Sequence, residues 1–444
     1  MRLAVLLTLI LASSIPSLAQ NTDAPGPNPV AATPAEARLA GAEQRRQLEA
    51  ASPVAAVPFR SVGPSVMSGR AVGVEGNPND VTEFYVAYAS GGLWHTETSG
   101  TTFTPLFDEM PMITIGAIAV DWNDPEGDGP TVWVGTGESN SSRSSYAGTG
   151  VYTSTDGGST WTHRGLAETQ HIGRIVLGEN GTAHVAAIGH LYSPNPERGV
   201  YRTDDSGETW TRTLFVDEET GAIDLVRDPT DPNRIYAATW TRSRRAWDFR
   251  EAGPGSAIWA SDDDGQTYSR LTIEGTGFPT GADVGRIGLA AHPNGVLYAV
   301  LDNQVRRPED EDDEAPELTS EMLETMTREQ FLEQSEDAIN AFLDANNFPF
   351  SYTAETVLED VREGRIEPIA LVEFLADANR QLFDTPVAGA EVYRSDDQGQ
   401  SWTRTHEGSF AGSSSGFWSA LARRPRLTKE TSPGLDGARH ELQR

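Results

Sequence analysis

The chain has 444 residues, no cysteine and a formal net charge of −31. So acidic a protein repels phosphate backbones, which excludes nucleic acid as a partner. Without disulfides it must rest on an apolar core, which a chain of this length can supply. The acidity reads as a hydrated, soluble surface, and no cofactor or metal is expected.

At the start, Arg2 precedes the apolar run 3–12, and Ser17-Leu18-Ala19 offers a small-x-small cleavage site before Gln20. This predicts a signal peptide over 1–19, cleaved near Ala19, and a secreted or periplasmic mature protein. The run is too short to span a bilayer and no later stretch is longer, so no membrane span is expected. Residues 20–57 read as a flexible lead with a short helix. Its first part is rich in Pro, Asn and Ala, and 35–51 has helical composition until Pro53 stops it.

From Pro58 the texture changes to short β runs broken by Gly, Asn, Asp and Pro. One box, Ser-x-Asp-x-Gly-x-Thr-Trp, stands at Ser154–Trp161 and returns at Thr203–Trp210, Ser261–Tyr268 and Ser395–Trp402. A worn copy at Thr96–Phe103 has Thr98 in place of the aspartate and is expected to turn more loosely. Each box closes a run such as "GVYTS" or "EVYRS". Upstream of it stand a Gly-led strand ("GRAVGV", "GAIAVD", "GRIVLG", "GAIDLV", "GRIGLA") and a second strand ("FYVAY", "VWVGT", "AHVAA", "IYAAT", "LYAVL"). With a short fourth strand after the box, each unit is a four-stranded sheet that cannot bury both faces alone. Packing such sheets around an axis gives a β-propeller. Residues 58–411 are thus predicted to hold about five blades, part of a larger ring. Asp156, Asp205, Asp263 and Asp397 are assigned to structure, binding turn amides, while the Gly supplies positive φ and the Trp wedges between blades.

The last interval between boxes is long because of an insertion, 306–386. It opens with the acidic run Glu309–Glu314 and continues with helices. Thr327-x-x-Gln330 predicts a capping box. A further helix starts at Thr353 and ends at Gly364, and an amphipathic one covers 369–383 with Leu371, Phe374, Leu375 and Leu382 on its apolar side. In the tail, 412–444, the rhythm fails and the chain's one lysine, Lys429, appears. A one-base shift of CGN codons at Arg423–Arg426 reads Val-Asp-Pro-Asp, a strand-end turn, so a frameshift near Gly416 is one reading. A natural disordered tail is the other.

The boxes, Gly135–Glu138 and the run Gly189–Gly207 resemble a bacterial family of secreted Asp-box (BNR-type) propellers. That family is grouped with the sortilin N-terminal domain and xyloglucanase-like glycoside hydrolases. The resemblance implies the propeller fold over about residues 59–410 and leaves activity open. Xyloglucanases carry a catalytic aspartate at the first inner strand; the matching stretch here is Tyr85–Gly92, with Ala89 at its position. "PFRSV" at Pro58 only faintly echoes the arginine motif of sialidases.

The long connections between second and third strands, Gly135–Gly150, Ile188–Gly199 and Thr239–Ser256, share one face, where binding residues concentrate. Arg143, His190, Arg198, Trp240, Arg242, Arg244, Arg245 and Trp247 are the candidate ligand contacts, since Trp and Arg favour hot spots. The alternative is that the Arg/Trp loop packs on the insertion and pairs with its acids. Glu138 and Glu197 are the candidate catalytic carboxylates. Asp121, Asn123, Asp124, Glu126 and Asp128 lack the full spacing of a calcium loop and are read as a turn. His184 and His190 fall on different elements and are not read as a metal pair. The leading function is binding of a peptide, protein or glycan. Alternatives are a glycoside hydrolase and an assembly scaffold.

Overall fold

The computed structural model describes residues 32–57, 69–123, 129–141, 145–245, 248–293, 295–306, 318–346, 348, 352–375 and 387–406. Arg143, Trp247, most of the would-be calcium loop, the run Glu309–Glu314, Leu382 and the tail lie outside them.

Five antiparallel four-stranded sheets follow one another along the chain. The first holds β1 (Ala71–Gly76), β2 (Phe84–Tyr88), β3 (Gly92–Thr96) and β4 (Thr104–Pro105). The second holds β5 (Ile115–Asp121), β6 (Thr131–Thr136), β7 (Val151–Ser154) and β8 (Thr162–His163). The third is β9 (Ile172–Leu177), β10 (Ala183–Ala187), β11 (Gly199–Thr203) and β12 (Thr211–Leu214). In the fourth, β13 (Thr220–Arg227) and β14 (Ile235–Thr241) precede a small hairpin of β15 (Ser243–Arg244) and β16 (Phe249–Arg250). The sheet then resumes with β17 (Ala257–Ser261) and β18 (Ser269–Arg270). The fifth is β19 (Val284–His292), β20 (Val296–Arg306), β21 (Val387–Ser395) and β22 (Thr403–Arg404).

The first strand of each sheet lies beside the first strand of the next: β1 by β5, β5 by β9, β9 by β13, β13 by β19. Sheets stacked side by side through their inner strands are the blades of a β-propeller. The Gly that leads an inner strand has a packing reason. A Cβ on Gly116 would lie 2.0 Å from the carbonyl oxygen of Ile172 in the next blade. On Gly173 it would lie 2.4 Å from that of Ile223. Any side chain there would force the blades apart.

In the box turn, Ser154 Oγ accepts from the buried Gly158 N–H at 2.7 Å and donates to Asp156 Oδ1 at 2.7 Å. Asp156 in turn accepts from the exposed Thr160 N–H at 2.9 Å and the Thr160 hydroxyl at 2.7 Å. The pattern repeats around Asp205, Asp263 and Asp397. The carboxylate thus accepts from a turn amide as expected, an exposed one, and the hydroxyl two residues earlier serves the buried one. Positive φ is needed at Gly158 and at the residue before it, Gly157. The worn copy turns no more loosely, since Thr98 Oγ1 accepts from Thr102 N–H at 2.9 Å and Thr96 Oγ1 accepts from Gly100 N–H at 3.0 Å. The indole of Trp161 donates to the Leu106 carbonyl of the preceding blade at 2.9 Å. That of Trp210 reaches Arg164 at 2.6 Å.

Helix α1 (Ala35–Ala50) runs outside the blades, where Arg38 donates to the carbonyls of Gly148 and Ala167. The helical insertion joins β20 to β21 through α2 (Ser320–Thr325), α3 (Arg328–Leu332), α4 (Glu336–Ala345), α5 (Ala354–Arg362) and α6 (Ile369–Leu375). Thr327 and Gln330 form the capping box, and Thr353 caps α5. Its apolar residues, among them Leu323, Phe331, Ile339, Val361 and Leu371, make a core of their own. Phe374 is half exposed yet stacks on Phe348, with ring centroids 4.7 Å apart.

Candidate functional site

The connection after β6 turns inward over the mouth of the propeller. Glu138, Ser139, Asn140 and Ser141 are all buried, although polar, because three other blades supply their partners. Arg70, at the head of the first blade, donates to Glu138 Oε1. Arg286, near the start of β19, donates to Asn140 Oδ1 at 3.3 Å. Arg242, just past β14, donates to the Ser141 hydroxyl at 2.5 Å, and Arg244 to the Ser141 carbonyl at 3.1 Å. Four arginines from blades one, four and five thus close on Glu138, Asn140 and Ser141 of blade two.

Trp240 floors this cup. It is fully buried, its indole donates to the Glu251 carbonyl at 2.6 Å, and the guanidinium carbons of Arg242 and Arg286 each lie 5.6 Å from its ring centre. His171, also buried, shares the Gly189 carbonyl with Arg242, at 3.0 and 3.2 Å. Burial, and then the charge of Arg242, pushes the His171 ring down to about 3, so it is neutral.

The cup is electrostatically uneven. Arg198 and Arg286 are each pushed down to about 10 by burial, offset by Asp217 and Glu219 for the first and by Asp224 and Asp302 for the second. Arg242, 1 % exposed, is pushed well below the usual arginine range by burial and then by Arg198, Arg286 and Arg244. These three charges all have its own sign. Among the described residues its Nε has no hydrogen-bond partner.

Several sequence expectations are corrected here. Arg198 is no exposed ligand contact: it is 1 % exposed and donates to Asn195 Oδ1 and the carbonyls of Ile188, His190, Ser193 and Glu219, clamping its own loop. His190 is engaged at both ring nitrogens, by the Ser193 hydroxyl at 2.9 Å and the Glu168 carbonyl at 3.2 Å. Trp240 and Arg242 are inside, because β14 continues to Thr241 and alternation turns Tyr236, Ala238 and Trp240 to one packed face. Arg244 and Arg245 remain on the β15–β16 hairpin, the first half-buried over the Phe249 ring at 4.5 Å and the second exposed. Arg242 and Arg244 of this loop meet the connection after β6, and Arg250 pairs with Glu219.

The two candidate carboxylates differ. Glu138 is 1 % exposed with both oxygens occupied, Oε1 by Arg70 and Asn140 and Oε2 by the Ser145 hydroxyl at 2.8 Å. Glu197 is half-buried and accepts from Asn195 at 3.3 Å. At Ala89 a buried methyl group stands, and its N–H donates to the Arg70 carbonyl at 2.8 Å.

Sequence reasoning missed Arg70, Ser141, His171 and Arg286. The signal was present for two of them, since Gly-Arg heads three of the inner strands at Gly69, Gly173 and Gly285. It also missed Glu83, His95 and Glu97, whose ligand atoms lie within 4.8 Å of one another near the worn box. These are donors a divalent ion would accept, but His95 already meets Glu83 at 2.9 Å and Asn77 donates to Glu83 at 2.6 Å.

No family model and no curated protein matches the chain. Among solved structures it is similar to the GH74 xyloglucanase from Xanthomonas campestris (18 % identity, TM-score 0.39, 55 % of this chain and 35 % of that one). It is also similar to a Niastella koreensis GH74 enzyme (16 %, TM-score 0.35, 76 % and 50 %), and to YCF48 bound to D1 peptide (16 %, TM-score 0.34, 55 % and 64 %). The chain spans a third to a half of the length of the GH74 proteins it matches. Likeness at this level bears no functional argument for this chain.

Proposed function

We propose that this chain is a binding module, exported after cleavage near Ala19, whose peptide, protein or glycan ligand docks on the face where the connections after β6, β10 and β14 converge. The observation that carries the reading is the arginine cup at the propeller mouth, built by four blades in a chain of net charge −31. Charged groups gathered from distant sequence positions into one cluster are costly to assemble and suit recognition. Arg245 on the neighbouring hairpin adds an exposed cation.

A glycosidase needs two carboxylates flanking the scissile bond. Ala89 offers none, and Glu138 is occupied on both oxygens, so binding is preferred over hydrolysis. The test is to probe the full chain on peptide and glycan arrays beside Arg245→Ala. A ligand retained by the parent and weakened by the substitution supports the reading. Blank arrays, or binding indifferent to changes anywhere on this face, would overturn it.

A further inference from the structure

Arg242 is the anomaly of the cup. A buried guanidinium ordinarily has a carboxylate beside it, because removing the charge from water costs several kcal/mol. The charges of Asp217 and Glu219 act favourably on Arg198, and those of Asp224 and Asp302 on Arg286. Arg242 meets only neutral acceptors, the Ser141 hydroxyl and the Gly189 carbonyl, with its Nε unused among the described residues.

What occupies the cup is a stretch of peptide. Arg286 reads the Asn140 side chain, Arg244 the Ser141 backbone carbonyl, Arg242 the Ser141 hydroxyl and Arg70 the Glu138 carboxylate. Side-chain and main-chain oxygens of consecutive residues are therefore recognised together, which is how a groove reads a peptide. The occupant is held at a cost. Ser141 has φ +57°, a left-handed backbone that a non-glycine residue adopts only at an energetic cost.

We infer that the ligand of this face is an acidic peptide, and that Glu138–Ser141 is an internal stand-in which the ligand displaces so that its carboxylate meets Arg242. The inference rests on the binding reading above and names its ligand class. A carboxylate at the Ser141 hydroxyl position would supply the missing counter-charge and offer the guanidinium a two-point contact. Elsewhere a chain of net charge −31 repels such a ligand, so affinity for it reports a local cationic site.

The experiment is fluorescence anisotropy of labelled hexaglutamate against the full chain, with hexaglutamine and polygalacturonate as further arms. The variants are Arg242→Gln and Ser141→Asp; the second places a carboxylate in the cup from within. Expected are binding of hexaglutamate but not hexaglutamine, and at least tenfold weaker binding by both variants, with Ser141→Asp also melting at higher temperature than the parent. Should Arg242→Gln fail to fold, Ser141→Asp decides alone. Hexaglutamate binding unaffected by Ser141→Asp would place it elsewhere and overturn the inference, as would binding of polygalacturonate alone. If hexaglutamate fails while an array ligand sensitive to Arg245→Ala is found, the acidic-peptide inference falls and the binding reading stands. If both are blank, both fall.

Discussion

Ser154 Oγ sits between two partners, accepting from Gly158 N–H and donating to Asp156 Oδ1, each at 2.7 Å. The repeated aspartate is the conspicuous member of the box, but the hydroxyl reaches the buried donor. Ser154→Ala should therefore destabilise by about 1–3 kcal/mol, the cost of an orphaned buried N–H. Asp156→Ala, whose lost partners on Thr160 return to water, should cost about 0.5–1.5 kcal/mol. Urea unfolding of the two variants ranks them; the reverse order would show that the carboxylate carries the turn.

Spacing between blades gives a second expectation. Gly116→Ala places a methyl 2.0 Å from the Ile172 carbonyl oxygen and should destabilise by more than about 3 kcal/mol. Gly76→Ala, where nothing lies within 4 Å, is the matched control. Equal melting temperatures would mean the blades are not held at this distance.

The indole bonds make a third. Trp161→Phe keeps the edge-on packing against Phe107 but loses the donor to Leu106, 2.9 Å away. About 1 kcal/mol should be lost. Trp161→Ala should cost clearly more, since it also empties the space between blades. Similar losses for both would assign the anchor to the hydrogen bond alone.

Acid should act through the boxes. Hydrogen bonds from the Thr209 side chain and backbone hold the Asp205 carboxyl at about 2, and those from Ser401 do the same for Asp397. In the unfolded chain both sit near 4. The folded state thus binds these protons less readily, so the stability they contribute is full above pH ~4 and is lost as pH falls towards ~2. A melting-temperature series over that window should fall less steeply for the double variant Asp205→Asn, Asp397→Asn than for the parent. Parallel curves would remove the boxes from the acid response.

How much of this was legible in sequence follows from how far apart the interacting residues lie. The box and the paired strands are local, and repetition exposed them five times over. The caps at Thr327 and Thr353 are local too. The cup is not: Arg242 lies 101 positions from Ser141 and Arg286 lies 146 from Asn140. Only the circular stacking of blades joins them. Trp240 was misjudged for a subtler reason. Beside Arg242 and Arg244 it looks like part of an exposed loop, yet Tyr236, Ala238 and Trp240 keep a period of two, which marked it as interior.

The insertion between β20 and β21 has a consequence for the order of assembly. Those strands pair from Leu297 with Ser395 to Arg306 with Val387, so the partners are close in space and far along the chain. In the other blades adjacent strands meet across short turns or modest loops, contacts that form early because little chain entropy is spent. The fifth blade has no such shortcut. Its third strand finds the second only once the intervening helices have gathered on their own core and brought Arg306 and Val387 together. Blades one to four, and the β19–β20 hairpin that carries Arg286, can zip up locally while the chain is emerging; the third strand of the fifth blade docks last.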